Sequence, residues 1–168
     1  MIIKRDNYLD QLIERKDNGM IKVITGIRRS GKSKLMDALK SLIMTADPSA
    51  NIIHINFNLT DFETLLDYHS LESYVEENYS SAFNNYLLID EIQMCEPFEK
   101  ALNSLHAKEK YDIYVTGPNA FLQSSDLATL FVGRTYEVNI LPFSFKEYVT
   151  YYPSENNNAS LTNYITEG

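Results

Sequence analysis

The chain has 168 residues, 44 % hydrophobic and 23 % charged, with a formal net charge of −8. A chain this long buries roughly 70 % of its unfolded surface, so its core needs no disulfide or metal, and the single cysteine, Cys95, excludes an internal disulfide framework or a multi-cysteine zinc site. The acidic balance excludes coating of nucleic acid or anionic membrane by bulk charge, while leaving room for a local basic site.

Residues 6–16 read as a short amphipathic helix, with Asp6 as its cap, Tyr8, Leu9, Leu12 and Ile13 on one face, and Asn18-Gly19 past its end. Residues 20–25 are β-branched and nearly all apolar, the pattern of a strand buried on both faces. A glycine-containing loop precedes a helix over 33–44 with Leu35, Met36, Leu39, Leu42 and Ile43 inward. A second strand is expected over 52–57, a helix with an acidic outer face over 70–79, and a third strand over 86–90 that ends in acid. Pro97 suits the first turn of the next helix, whose Phe98, Ala101, Leu102 and Leu105 repeat at helical spacing. A fourth strand over 111–116, a helix over 120–130, a fifth strand over 135–140 and a short helix over 144–151 complete the pattern. Strands separated by helices predict an α/β fold of parallel βαβ units with helices on both faces. Residues 153–160, with Asn156-Asn157-Asn158, read as a linker.

The opening Met1-Ile2-Ile3-Lys4-Arg5-Asp6 is charged by its fourth residue and lacks a secretory pattern. No stretch approaches the ~20 apolar residues that span a bilayer. A soluble, cytoplasmic protein without a membrane partner is expected.

Gly26-Ile27-Arg28-Arg29-Ser30-Gly31-Lys32-Ser33 matches G-x-x-x-x-G-K-[ST] without a mismatch, between a buried strand and a helix. There the glycines let successive N–H groups face a phosphate and the helix N-terminus adds partial positive charge. The predicted phosphate-binding set is this octet with Lys34. Lys32 reaches the β- and γ-phosphates and Ser33 is placed to ligate Mg²⁺. Arg28 and Arg29 reach the phosphates, meet a partner, or are simply exposed. Leu87-Leu88-Ile89-Asp90-Glu91 delivers Asp90 to the carboxyl edge of the sheet, where it can hold Mg²⁺ beside Ser33. Glu91 follows and can take the proton of an attacking water. The chemistry so read is hydrolysis of a nucleoside triphosphate.

These two motifs, the strand end Val115-Thr116-Gly117-Pro118-Asn119 and Gly133-Arg134 together resemble the AAA+-like P-loop ATPases of bacteria and archaea. The nearest resemblance is to a family of ATP-binding proteins with this domain at the N-terminus and an uncharacterised domain at the C-terminus. It covers residues 1–152, leaving 153–168 as linker and the start of a further region. The resemblance implies a three-layer αβα sandwich around a five-stranded parallel sheet of order 5-1-4-3-2. It implies that Asn119 senses the γ-phosphate and aligns water with Glu91. Arg134 would be a finger that stabilises transition-state charge in a neighbouring subunit's site, in a homo-oligomer. Pro118 stands where the family usually has serine, removing an N–H and stiffening the approach to Asn119.

His54, His69 and His106 show no metal-ligand spacing, Cys95 carries no catalytic signature, and the acidic residues of 61–77 read as a solvated face. The leading function is a Mg²⁺-dependent ATPase driving conformational change in an attached or partner module. The alternative is a binding switch in which hydrolysis is slow or incidental. A phosphotransferase would need an acceptor pocket and an arginine-rich lid, which the residues after Gly117 do not offer. No N-K-x-D motif supports GTP, so ATP is the expected nucleotide, and nucleic acid is not expected to bind this domain alone. Leu161, Tyr164 and Ile165 share one helical face too short to bury itself. They read as the opening of a further packed unit in a longer protein, frayed or docked on the ATPase surface or on another copy.

Overall fold

The computed structural model describes residues 5–119, 132–151, 161–162 and 164–165. The helix expected over 120–130 and the linker expected over 153–160 lie outside the described residues. Helices α1 (Asp6–Ile13), α2 (Lys32–Ala46), α3 (Tyr68–Glu77), α4 (Phe98–Ala107) and α5 (Phe145–Tyr151) accompany strands β1 (Ile21–Gly26), β2 (Asn51–Asn56), β3 (Asn85–Asp90), β4 (Asp112–Thr116) and β5 (Thr135–Ile140). The strands form one sheet of order β2-β3-β4-β1-β5 with every pairing parallel. Read from the other edge, this is the expected 5-1-4-3-2.

Strand alternation divides the apolar residues between two faces. Val23, Leu87, Ile89, Ile113 and Val115 pack on one side against Leu71 and Val75 of α3 and Ala101, Leu102 and Leu105 of α4. Ile24, Tyr86, Leu88, Tyr114 and Val138 pack on the other against Leu9 and Leu12 of α1 and Leu35, Met36, Leu39 and Ile43 of α2. Each fully buried aliphatic side chain contributes about 1.5–3 kcal/mol. The result is the three-layer sandwich, with the carboxyl ends of β1, β3 and β4 at one edge.

Several local expectations need correction. Asp6 does not cap α1; Arg5 holds the cap position without a side-chain cap bond, and Asp6 lies in the first turn. Leu42 is 42 % exposed, on the outer margin of α2. Helix α3 begins at Tyr68 because Asp67 caps it, accepting the N–H groups of His69 and Ser70. Pro97 is the cap residue before α4 and not inside its first turn. Two 3-10 segments, Thr60–Leu65 and Ile92–Met94, had no sequence signal.

Lys22 is the one charged residue of β1, and it is fully buried near the strand's amino end. Its Nζ pairs with Asp112 Oδ1. Asp112 Oδ2 accepts from the Tyr114 hydroxyl at 2.8 Å and from the Asp17 N–H at 3.1 Å. The pair is closed, with both carboxylate oxygens used. Beyond α5, Tyr164 donates its hydroxyl to the Phe143 carbonyl at 2.6 Å and sets its ring 5.5 and 5.4 Å from those of Phe145 and Tyr148. Among the described residues no helix is long and apolar enough to cross a membrane.

Candidate functional site

The loop between β1 and α2 is curled by a run of unusual backbone angles. Gly26 has φ of 156°, Arg29 of 66° and Gly31 of 95°. A Cβ on Gly26 would stand 2.6 Å from both the Ile140 carbonyl and Ser30 Oγ, so no side chain fits there. Gly31 is the cap of α2 in the left-handed region, and the first helical bond runs from Leu35 N–H to the Gly31 carbonyl at 2.9 Å. The N–H groups of Lys32, Ser33 and Lys34 therefore stand at the helix start without intrahelical partners, where the macrodipole adds positive charge. They open into a cavity of about 510 Å³ lined by Gly26, Arg28, Arg29, Gly31, Lys32, Ser33, Lys34, Asn58, Glu91 and Pro118.

Lys32 is 7 % exposed, and its ammonium donates to the carbonyls of Gly26 at 3.1 Å and Ile27 at 3.4 Å. Glu91 Oε1 lies 3.8 Å from it. Glu91 itself adopts φ 58° and ψ 50°, a left-handed conformation that turns the chain off β3. Its Oε2 accepts from Gln93 Nε2 at 2.6 Å. Asp90 is buried beside it, and its Oδ1 accepts from the Thr116 hydroxyl. Thr116 Oγ1 in turn accepts the Glu91 N–H at 2.8 Å, so one hydroxyl at the end of β4 holds the Asp90 carboxylate and the Glu91 backbone. Among the described residues, Asp90 Oδ2 and Ser30 Oγ are buried without a partner. A buried carboxylate oxygen left unsatisfied is the kind of hard oxygen donor that fits a divalent cation such as Mg²⁺.

The geometry thus brings Gly26, Gly31, Lys32, Ser33, Lys34 and Glu91 around one cavity. Ile27 points outward, 53 % exposed, and Ser30 lies behind the loop, its N–H bonded to the Ile27 carbonyl at 3.1 Å. The Lys34 side chain is largely exposed and pairs with Asp37 at 3.5 Å, leaving its backbone N–H as its contribution. Asn119 is exposed and its amide oxygen faces Asn139 Nδ2 of β5 at 3.5 Å; its neighbour Pro118 lines the cavity. Arg134 is exposed at the entry to β5, its carbonyl accepting from Ile21 N–H at 2.8 Å. That position is the opposite edge of the sheet, about 17 Å along β1 from the loop at 3.3 Å per residue. Thr116, Gln93 and Asn58 were not singled out as site residues. Thr116 becomes visible only through the fold, one residue past the Ile89–Val115 pair, where its hydroxyl meets Asp90; no sequence signal marks the other two.

A family model described as an AAA domain matches residues 18–149. The chain belongs to the AAA family. An "uncharacterized protein" of Haemophilus influenzae is 41 % identical over 150 residues, covering 88 % of this chain and 38 % of its own length. The AAA chain thus spans under two fifths of that relative. Among solved structures, the Saccharomyces cerevisiae Hsp104–ADP complex superimposes with a TM-score of 0.70 at 16 % identity, over 91 % of this chain and 24 % of that one. The Aeropyrum pernix ORC1 protein in complex with DNA gives 0.62 at 12 % identity, over 89 % and 48 %. At these identities the likeness bears on the fold, an AAA+ P-loop nucleotide-binding architecture with the order found here.

Proposed function

We propose that this AAA domain binds ATP with Mg²⁺ and hydrolyses its β–γ phosphoanhydride, driving conformational change in an attached or partner module. The observation that carries this reading is the facing pair across the cavity: a buried ammonium held by carbonyls, 3.8 Å from an acidic side chain. Among the described residues the one carboxylate paired with Lys32 is Glu91, at the long distance of 3.8 Å, so an arriving triphosphate can compete for the ammonium. By drawing Lys32 toward itself, the phosphate chain releases Glu91 Oε1 to accept the proton of an attacking water. The α2 N–H groups hold the β-phosphate oxygens, and Thr116 keeps Asp90 and Glu91 in fixed relation. Mg²⁺, held by Ser33 and Asp90, would neutralise charge on the β- and γ-oxygens. Asn119 would act as γ-phosphate sensor only after turning away from Asn139. Arg134, at the far edge, would serve another subunit's site in a homo-oligomer and not its own. The remainder of a longer protein, a C-terminal domain, would be the driven module, and the cytoplasm its setting.

The alternative, a switch with slow or incidental hydrolysis, draws support from Glu91, whose second oxygen is held by Gln93. Single-turnover hydrolysis of labelled ATP with Mg²⁺ separates the two. Glu91→Gln should bind ATP yet turn over roughly 10²–10⁴-fold more slowly than the parent. Equal rates in both proteins would remove Glu91 from the chemistry, and ATP binding without measurable parental turnover would favour the switch.

A further inference from the structure

Arg5 is only 6 % exposed, although it stands before the first helix. Its guanidinium lies between the rings of Tyr8 and Phe143, 4.9 and 5.1 Å from their centres. Every described polar contact joins it to a different part of the chain. Nη1 donates to the Ser30 carbonyl of the phosphate loop at 2.9 Å. Nη2 donates to the carbonyls of Leu141 at 2.7 Å and Pro142 at 3.4 Å, between β5 and α5. Nε donates to Glu147 Oε1 at 2.9 Å.

Two consequences follow from covalent geometry and capping. A trans peptide is planar with its C=O and N–H opposed. The Ser30 carbonyl points to Arg5, so the Gly31 N–H of the same peptide points away from Arg5, on a residue that lines the cavity. Glu147 is also the helix-start acid of α5: its Oε2 accepts from Ser144 N–H at 2.7 Å and Ser144 Oγ at 2.9 Å, and its own N–H donates to Ser144 Oγ at 3.2 Å. This is a reciprocal capping box. Burial pushes the Glu147 carboxyl up, but the bonds from Arg5 and Ser144 outweigh it and hold the group below its ordinary range. One carboxylate therefore anchors both the start of α5 and the arginine behind the phosphate loop.

We propose that Arg5 is a positioning residue of the phosphate cavity, aiming the Gly31 N–H inward and, through Glu147, making the placement of α5 depend on what the cavity holds. The proposal rests on the nucleotide-binding reading above. Arginine is needed because its planar fork serves three acceptors in fixed directions, which an ammonium cannot reproduce.

ADP is the probe, with affinity measured by calorimetry and amide hydrogen exchange followed in the phosphate loop and in α5. In the parent, ADP should slow exchange in both segments. Arg5→Lys should raise the ADP dissociation constant by roughly tenfold, the scale of one lost charge-assisted bond, and abolish the ADP response of α5. Glu147→Gln, which keeps the shape but not the charge, should leave the constant within about twofold and still abolish the α5 response. A merely structural Arg5 would speed α5 exchange equally with and without ADP, leaving the difference intact. A parent that binds ADP and protects the loop but not α5 overturns this proposal alone. A parent that binds no ADP overturns the nucleotide-binding reading and this proposal with it. If Arg5→Lys does not fold, a full α5 response in Glu147→Gln is by itself enough to reject the coupling.

Discussion

The two edges of the sheet each bury a lysine, and they treat it in opposite ways. At the amino edge Lys22 meets a carboxylate whose second oxygen is also taken, by Tyr114 and by the Asp17 backbone. At the carboxyl edge Lys32 rests on two carbonyls, with Glu91 at 3.8 Å and unpartnered oxygens on Asp90 and Ser30 nearby. A closed pair spends its electrostatics on holding strands together, whereas an open one keeps them for something that arrives. The same side chain, buried in both places, is thus closed into an ion pair at one end of β1 and left open at the other for the recognition we propose. Whether partners are complete distinguishes the two roles better than burial does.

The largest expected effect breaks the closed edge. Lys22→Met removes one partner and strands the Asp112 charge among Tyr114 and the strands, which should cost about 3–5 kcal/mol of folding stability. Urea unfolding would measure it, and a loss below about 1 kcal/mol would show that the pair is not closed. The folded fraction should still bind ADP normally. Lys32→Ala should do the reverse, weakening ATP binding by roughly 30–100-fold, as expected for loss of a charged donor to phosphate. Its melting temperature should stay within a few degrees of the parent, about the shift of 1 kcal/mol or less. Calorimetry and a thermal melt on one sample decide this. Unchanged ATP affinity would remove Lys32 from recognition.

The smallest effect is a chemical reporter of the same contrast. Burial, then the nearby charges of Asp67, Glu96 and Glu99, push the Cys95 thiol up to about 12. At pH 8 only on the order of one thiol in ten thousand is then a thiolate. Alkylation in the folded protein should therefore track global unfolding. Lys22→Met should accelerate it, and Lys32→Ala should not. Rapid labelling of the parent would place Cys95 on a locally opening segment.

The sheet and most of the phosphate loop were legible because their signals are contiguous. β1 and β3 are mostly apolar, β-rich runs, and Gly31, Lys32 and Ser33 follow Gly26 at the end of β1 at fixed spacing. What escaped depends on residues that meet only through the fold. Thr116 acts on Asp90 and Glu91 across a strand pairing, and Arg5 reaches Ser30 and Glu147 from before α1. Neither residue type is unusual where it stands, so no local pattern marks it. Asp6 reads as a cap because acidic residues favour helix starts, yet Arg5 is drawn off to its own partners and leaves the cap position without a side-chain bond. The 3-10 segments are too short for periodicity to register.

The strand order has a consequence for how the molecule is made. β2 and β3 are neighbours in the sheet and close in sequence, so they can pair as soon as both have left the ribosome. β1 is made before either, but its sheet neighbours are β4 and β5, so it waits for residues 112–140. At roughly 5–20 residues per second of synthesis, that apolar strand is without its partners for several seconds. The loop it carries is curled against Ile140, the last residue of β5. The loop after β1 is thus translated well before the strand it packs on, and takes its final place only when that strand arrives.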